Sequence, residues 1–195
     1  MDKALVQFDG QPLVARALSI LREAGLQASI AGARSPLGDY ASVVEDAGLG
    51  PLGGVCAGLA SASADVVAFL SVDQPLLPAS LVTFMIEHMQ ITDAAVTVAS
   101  VNSYPQTFPA IVSRSALPAL ESVLREGDGG CFAAFQTAAK QLGRPLTILP
   151  TELLAQAGQV AHPEGLPVSL WFLNVNRPAD LAQAETVLSA CRQVS

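Results

Sequence analysis

The feature of this 195-residue chain that most restricts its fold is the run at residues 65–72, which is continuously apolar apart from Asp65 and Ser71 and stops at one carboxylate, Asp73. A strand with one wet face alternates polar and apolar residues. A run without alternation suits a strand covered on both faces, the usual state in parallel sheets flanked by helices. Strand-like and helix-like segments alternate around it, which predicts a mainly parallel sheet with covering helices. Strands are expected at residues 4–8, 28–33, 42–45, 65–72, 94–101, 108–113, 145–149 and 168–175. Helices are expected at 11–24, 52–63, 78–89, 115–125, 130–142 and 178–191, and an irregular link with one helical turn at 151–167. Strands 65–72 and 168–175 are predicted to run parallel in one sheet. Asp9-Gly10 reads as a turn and Gly25 as a helix stop.

Bulk properties narrow the function. Hydrophobic residues make up 51% of the chain and charged residues 14%, the composition of a packed domain rather than a disordered one. A net charge of −7 argues against a nucleic-acid groove, which needs a basic face. A small phosphorylated ligand needs only a few N–H groups, one or two cations and a metal ion. Lysine occurs only at Lys3 and Lys140, and Cys56, Cys131 and Cys191 show no zinc spacing. The thiols read as reduced and buried, which predicts a cytoplasmic protein. His88 and His162 are isolated, unlike the clustered ligands of a metal site. The N-terminus lacks the apolar region of a signal peptide, and the longest apolar stretch is too short to cross a bilayer, so no membrane association is expected.

Three places are candidates for chemistry. In Phe69-Leu70-Ser71-Val72-Asp73-Gln74-Pro75 a buried strand ends in one carboxylate. Ligands of open α/β sheets bind beyond the carboxyl ends of strands, so Asp73 is either a magnesium ligand bridging phosphates or a turn residue before Pro75. Val43-Val44-Glu45-Asp46 leads through glycines into Pro51-Leu52-Gly53-Gly54. Those glycines either let a nucleobase or ribose approach the backbone or allow tight helix–sheet packing. In Leu173-Asn174-Val175-Asn176-Arg177-Pro178-Ala179-Asp180, Pro178 suits a first helical position and Asp180 the first turn. Asn174 and Asn176, two apart on a strand, would face one side, and their amides suit a heterocycle.

Taken in order, DKALVQFDGQPLV, VVEDAGLGPLGG, FLSVDQP, FPAIVSRSALPALE and FLNVNRPADL resemble the MobA-type molybdenum-cofactor guanylyltransferases over essentially the whole chain. The resemblance implies a three-layer α/β/α fold with a Rossmann-like, mostly parallel sheet, and a single domain over residues 1–195. It also implies transfer of GMP from GTP to molybdopterin with release of pyrophosphate, and Mg²⁺ as cofactor. By position, Lys3 matches the lysine that contacts phosphate and Asp73 the magnesium-binding, catalytic aspartate. Asp46, with Pro51, Leu52 and Gly53, matches the nucleotide side, and Asn174 and Asn176 the molybdopterin side. Molybdoenzymes or cofactor-assembly proteins are the protein partners such a role implies.

The sequence also departs from the family. The family opens with a strand and a loop of the form LAGGxSxRMGxDK, whereas here Met1 directly precedes Asp2-Lys3. The expectation is an N-terminally truncated domain with a gap in its sheet, a loosely held Lys3 and weak triphosphate binding. The turn at residues 30–34 lacks the family's asparagine, and the loop at 126–130 lacks a basic residue. Two alternatives stand beside guanylyl transfer. One is transfer of CMP or another nucleotide on the same fold. The other is a non-catalytic molybdenum-cofactor binding or scaffold protein.

Overall fold

The computed structural model describes residues 2–32, 37–46, 48–127 and 130–194. A short hairpin, β1 (Gln7–Phe8) and β2 (Gln11–Pro12), turns at Asp9-Gly10, both at positive φ, and leads into α1 (Leu13–Glu23). Next come β3 (Ile30–Ala31), β4 (Val43–Val44), α2 (Gly50–Ser61), β5 (Val66–Phe69) and α3 (Ala79–Thr92). The second half contains β6 (Val96–Val101), β7 (Tyr104–Ser113), α4 (Leu117–Glu126), α5 (Cys131–Leu142) and β8 (Leu146–Pro150). Helices α6 (Thr151–Gln156), α7 (Val168–Trp171) and α8 (Pro178–Val194) close the chain.

The main sheet has the order β5-β7-β6-β8. Strands β5 and β6 are both antiparallel to β7, and β8 is parallel to β6. Three strands therefore run one way and only β7 is reversed, because a tight turn at Asn102-Ser103, both at positive φ, folds β7 back onto β6. Strands β3 and β4 pair in parallel as a separate two-stranded piece. Side chains alternate across the sheet. Ala68, Ala99 and Ile111 pack with α1, α3 and α8, while Phe69, Val98 and Val112 pack with α2, α4 and α5. The fold is thus three-layered α/β/α with a mostly parallel sheet, as expected. Gly58 explains how close the layers come. A Cβ there would lie 2.7 Å from the Phe69 ring, so this glycine permits α2 to rest directly on β5.

Several expected elements differ. Residues 168–175 are not a strand. Pro167 precedes the single turn of α7, and Trp171 Nε1 donates to the Leu166 carbonyl at 2.7 Å, folding the segment back on itself. Its buried residues are Trp171, Phe172 and Val175, which is not the period of two that a strand requires. Residues 3–5 form a 3-10 turn, with Asp2 Oδ1 accepting from the Ala4 N–H at 3.0 Å, instead of extended chain. Residues 11–12 pair as β2 before α1 begins. The expectations that rest on Ala33, Arg34, Asp128 and Gly129 lie outside the described residues.

Side-chain bonds tie the ends together. Arg192 on α8 donates to both oxygens of Asp9 and to Glu164 Oε1, at 2.7–2.9 Å. The Arg192 guanidinium holds the Asp9 carboxyl below its usual range. His162 is buried, its Nδ1 accepting from the Glu164 N–H at 3.1 Å. Desolvation pushes its pKa down from 6.5 to about 4, so the folded state holds it neutral. The unfolded chain takes up this proton first, so stability is complete above pH 6.5 and falls as pH drops toward 4. In His162→Gln, the loss of Tm between about pH 7.5 and about pH 5 should shrink relative to the parent protein. An unchanged loss in thermal melts would remove His162 from the acid response.

Candidate nucleotide site at the strand ends

The chain leaving β5 turns at Val72-Asp73 and carries Ser71 and Asp73. Ser71 Oγ donates to Asp73 Oδ1. Lys3 Nζ donates to Asp73 Oδ2 at 2.9 Å and also to Asn176 Oδ1. The Val175 N–H donates to the Asp73 carbonyl at 2.8 Å, laying residues 174–176 beside the end of β5. Residues distant in sequence thus converge on one carboxylate. The side chains of Lys3 and Asp73 are 37% and 20% exposed, so a ligand can reach both. Lys3 is held by two acceptors, contrary to the expectation of a loose position beside the terminus.

Neighbouring groups fix this arrangement. Helix α8 starts at Pro178, and Asp180 Oδ2 accepts from the N–H groups of Asn176 and Arg177 at 3.0 and 2.8 Å. Those bonds satisfy donors that a helix start leaves open and set the direction of Asn176. Arg16 Nε donates to the Pro75 carbonyl at 3.0 Å, pinning the loop after Asp73 to α1. Asn174 and Asn176 are exposed on either side of buried Val175. The backbone there is not a strand, so the period of two from which a shared side was expected does not apply. Asn176 is engaged by Lys3, whereas Asn174 makes no hydrogen bond among the described residues.

A second group lies beyond β4. Asp46 Oδ1 accepts from the Gly48 N–H at 3.1 Å, and Asp46 Oδ2 sits where a Cβ on Gly32 would be, 2.8 Å away. Gly32 has φ +76°, which a side chain disfavours. Gly54, in the first turns of α2, also faces Asp46, its Cβ position 3.8 Å from Oδ2. Pro51 is exposed, while the Leu52 side chain and Gly53 are buried in the core. Leu52 and Gly53 can therefore offer a ligand only main-chain N–H groups at the start of α2. No hydrogen bond joins the Asp46 group to the Asp73 group among the described residues. Val44 and Val72, which precede Asp46 and Asp73 in the chain, both line one cavity.

The sequence reading overlooked Ser71 as a partner of Asp73 and Asp2 as a helix cap. The two-residue spacing from Ser71 to Asp73 was the available signal. Among the described residues, no group of three or more His, Cys, Asp or Glu side chains is gathered to hold a metal ion.

The family model for the MobA-like NTP transferase domain matches residues 1–142. The chain belongs to this family. A molybdenum cofactor guanylyltransferase of Vibrio atlanticus (strain LGP32) is 28% identical over 192 residues, covering 95% of this chain and 88% of the relative. One of Vibrio cholerae serotype O1 is 32% identical over 187 residues, covering 93% and 82%. Among solved structures, the molybdopterin-guanine dinucleotide biosynthesis protein A of Archaeoglobus fulgidus superposes with TM-score 0.75 at 18% identity, covering 97% of this chain and 92% of that one. The 2-C-methyl-D-erythritol 4-phosphate cytidylyltransferase of Thermus thermophilus gives 0.67 at 20% identity, covering 96% and 94%. These similarities support a nucleotidyltransferase of the MobA-like type.

Within this MobA-like site, Gly32 offers a direct structural check. Gly32→Ala should destabilise the protein by about 1–2 kcal/mol in denaturant melts, since it puts a side chain in left-handed backbone. It also drives a methyl group against Asp46. In an Asp46→Ala background the penalty should be smaller, and full additivity in the double-mutant cycle would show that the two residues do not press on each other.

Proposed function

We propose that this protein transfers GMP from GTP to molybdopterin, releasing pyrophosphate. The observation that carries the reading is the convergence of Lys3, Asp73 and Asn176 at the carboxyl end of β5, in a chain whose curated relatives are named molybdenum cofactor guanylyltransferases. Those names favour guanylyl over cytidylyl transfer.

The reaction is an in-line displacement at the α-phosphorus of GTP. A terminal phosphate oxygen of the acceptor attacks, the bond to the bridging oxygen breaks, and pyrophosphate departs with that oxygen. Such a reaction needs positioning and charge neutralisation, with no covalent protein intermediate. Lys3 neutralises phosphate charge, exchanging part of its contact with Asp73 and Asn176 for phosphate oxygens. Asn174 and Asn176 present amides to the pterin. Asp46 and the main-chain N–H groups at Leu52 and Gly53 face the nucleoside.

The residues present fit a magnesium ion. Asp73 is one reachable carboxylate whose two oxygens retain lone pairs beyond the bonds from Lys3 and Ser71. Magnesium is often held by one or two carboxylates, with phosphates and water as its other ligands. Bound there, it would supply charge neutralisation across the phosphate oxygens.

Purified protein with GTP, magnesium and molybdopterin should yield molybdopterin guanine dinucleotide and pyrophosphate. CTP in place of GTP should yield much less. Asp73→Asn should lower the rate by roughly 10²-fold or more with an unchanged circular dichroism spectrum. Equal rates with the two nucleotides would overturn the guanylyl assignment, and an undiminished Asp73→Asn rate would remove Asp73 from the chemistry.

A further inference from the structure

Two side chains are bonded to the Asp73 carboxylate among the described residues. Lys3 has a task in the proposed reaction, and Ser71 has none. Ser71 is the first polar residue after the apolar residues 66–70, and it stands half-buried immediately before the turn at Val72-Asp73. A serine at such a place usually serves the backbone, its hydroxyl bonding to a main-chain group a few residues away. Ser71 does not. Among the described residues, the only hydrogen bond of its hydroxyl is the one it donates to Asp73 Oδ1.

The two oxygens of Asp73 are thereby made different. Oδ2 accepts from Lys3 Nζ at 2.9 Å, and Oδ1 accepts from Ser71. Lys3 is a long side chain, partly exposed and shared with Asn176. In the proposed reaction it gives up part of this contact to phosphate. Ser71 is short and attached two residues away, so its bond does not depend on where Lys3 goes. The main chain here is fixed separately. The Val175 N–H holds the Asp73 carbonyl at 2.8 Å, and Arg16 Nε holds the Pro75 carbonyl at 3.0 Å. Those bonds leave the carboxylate itself free to turn, because the torsion about its Cβ–Cγ bond is broad and roughly two-fold. With Lys3 on phosphate, Ser71 is the side-chain bond that still fixes this torsion. Carboxylates that ligate metals are themselves usually hydrogen-bonded, and losing such a bond weakens metal binding.

We propose that Ser71 is a positioning residue for the transfer reaction. It holds Asp73 Oδ1, so that Oδ2, the oxygen Lys3 releases, is presented to the magnesium ion of an incoming magnesium–nucleotide complex. Ser71 touches neither the phosphates nor the reacting atoms and acts only through Asp73. The inference rests on the reading of Asp73 as the magnesium ligand.

The test measures metal binding without turnover. Manganese stands in for magnesium, and water-proton relaxation reports the manganese held on the slowly tumbling protein. The full chain is titrated with manganese at fixed GTP and with no acceptor present. Ser71→Ala should raise the manganese concentration for half-saturation roughly ten-fold or more, with an unchanged circular dichroism spectrum. Ser71→Thr, which keeps the hydroxyl, should restore most of the binding. In turnover, Ser71→Ala should raise the magnesium concentration for half-maximal rate and leave the KM for molybdopterin unchanged. If Ser71→Ala folds poorly, Ser71→Cys carries the same comparison, being of similar size with only a weak S–H donor. Equal manganese binding by the parent and these variants would overturn the role of Ser71 while leaving Asp73 as the ligand. Equal weakening in Ser71→Ala and Ser71→Thr would also defeat it, since packing and not the hydroxyl bond would then be at work. A parent protein that holds no manganese with GTP would remove the metal reading of Asp73 and this inference with it.

Discussion

Strand β5 is apolar on both faces, and the rest of the molecule is arranged around covering it. Phe69 lies against Gly58 of α2, while Val66 and Ala68 turn toward the core shared by α1, α3 and α8. Two helical layers must therefore close on this strand, since a strand exposed on either face would leave apolar area in water at about 25 cal/mol per Å². Rigid cover on both sides means the chain can become polar only where the strand ends, and that is where Ser71 and Asp73 stand.

What converges there comes from the chain's extremes. Lys3 follows a 3-10 turn capped by Asp2, and Asn176 is aimed by Asp180 at the start of α8. Each is positioned by a local backbone device, and the ion pair with Asp73 then joins them. An exposed ion pair contributes little to stability. Arg192 likewise joins Asp9 and Glu164, linking α8 to the first hairpin.

A cavity between β3 and β5 adjoins the site. Val44 and Val72 line the cavity, and Asp46 and Asp73 follow them along the chain. The two acidic groups are thus set on the two halves of a divided sheet. Their relative position depends on how β3 is held beside β5.

Local patterns in the sequence carried much of this. The unbroken apolar run foretold β5 and its two helical layers. Asp9-Gly10 foretold a turn, though not the hairpin it closes, and Pro178 with Asp180 foretold the start of α8, because such signals act within a few residues through steric preference and capping. The family motifs singled out Lys3, Asp73 and Asn176 together. Elsewhere local pattern misled. Residues 168–175 read as a strand because they are apolar, but burial of Trp171 and its bond to the Leu166 carbonyl fold them into a turn. Only the tertiary structure decided that Asn176 and Lys3 share a hydrogen bond, that Gly32 makes room for Asp46, and that Ala31 and Ala68 line one cavity. Such facts depend on contacts between residues far apart in the chain. A pattern with a period of two or 3.6 residues records which face of an element is apolar, and says nothing of what stands opposite it.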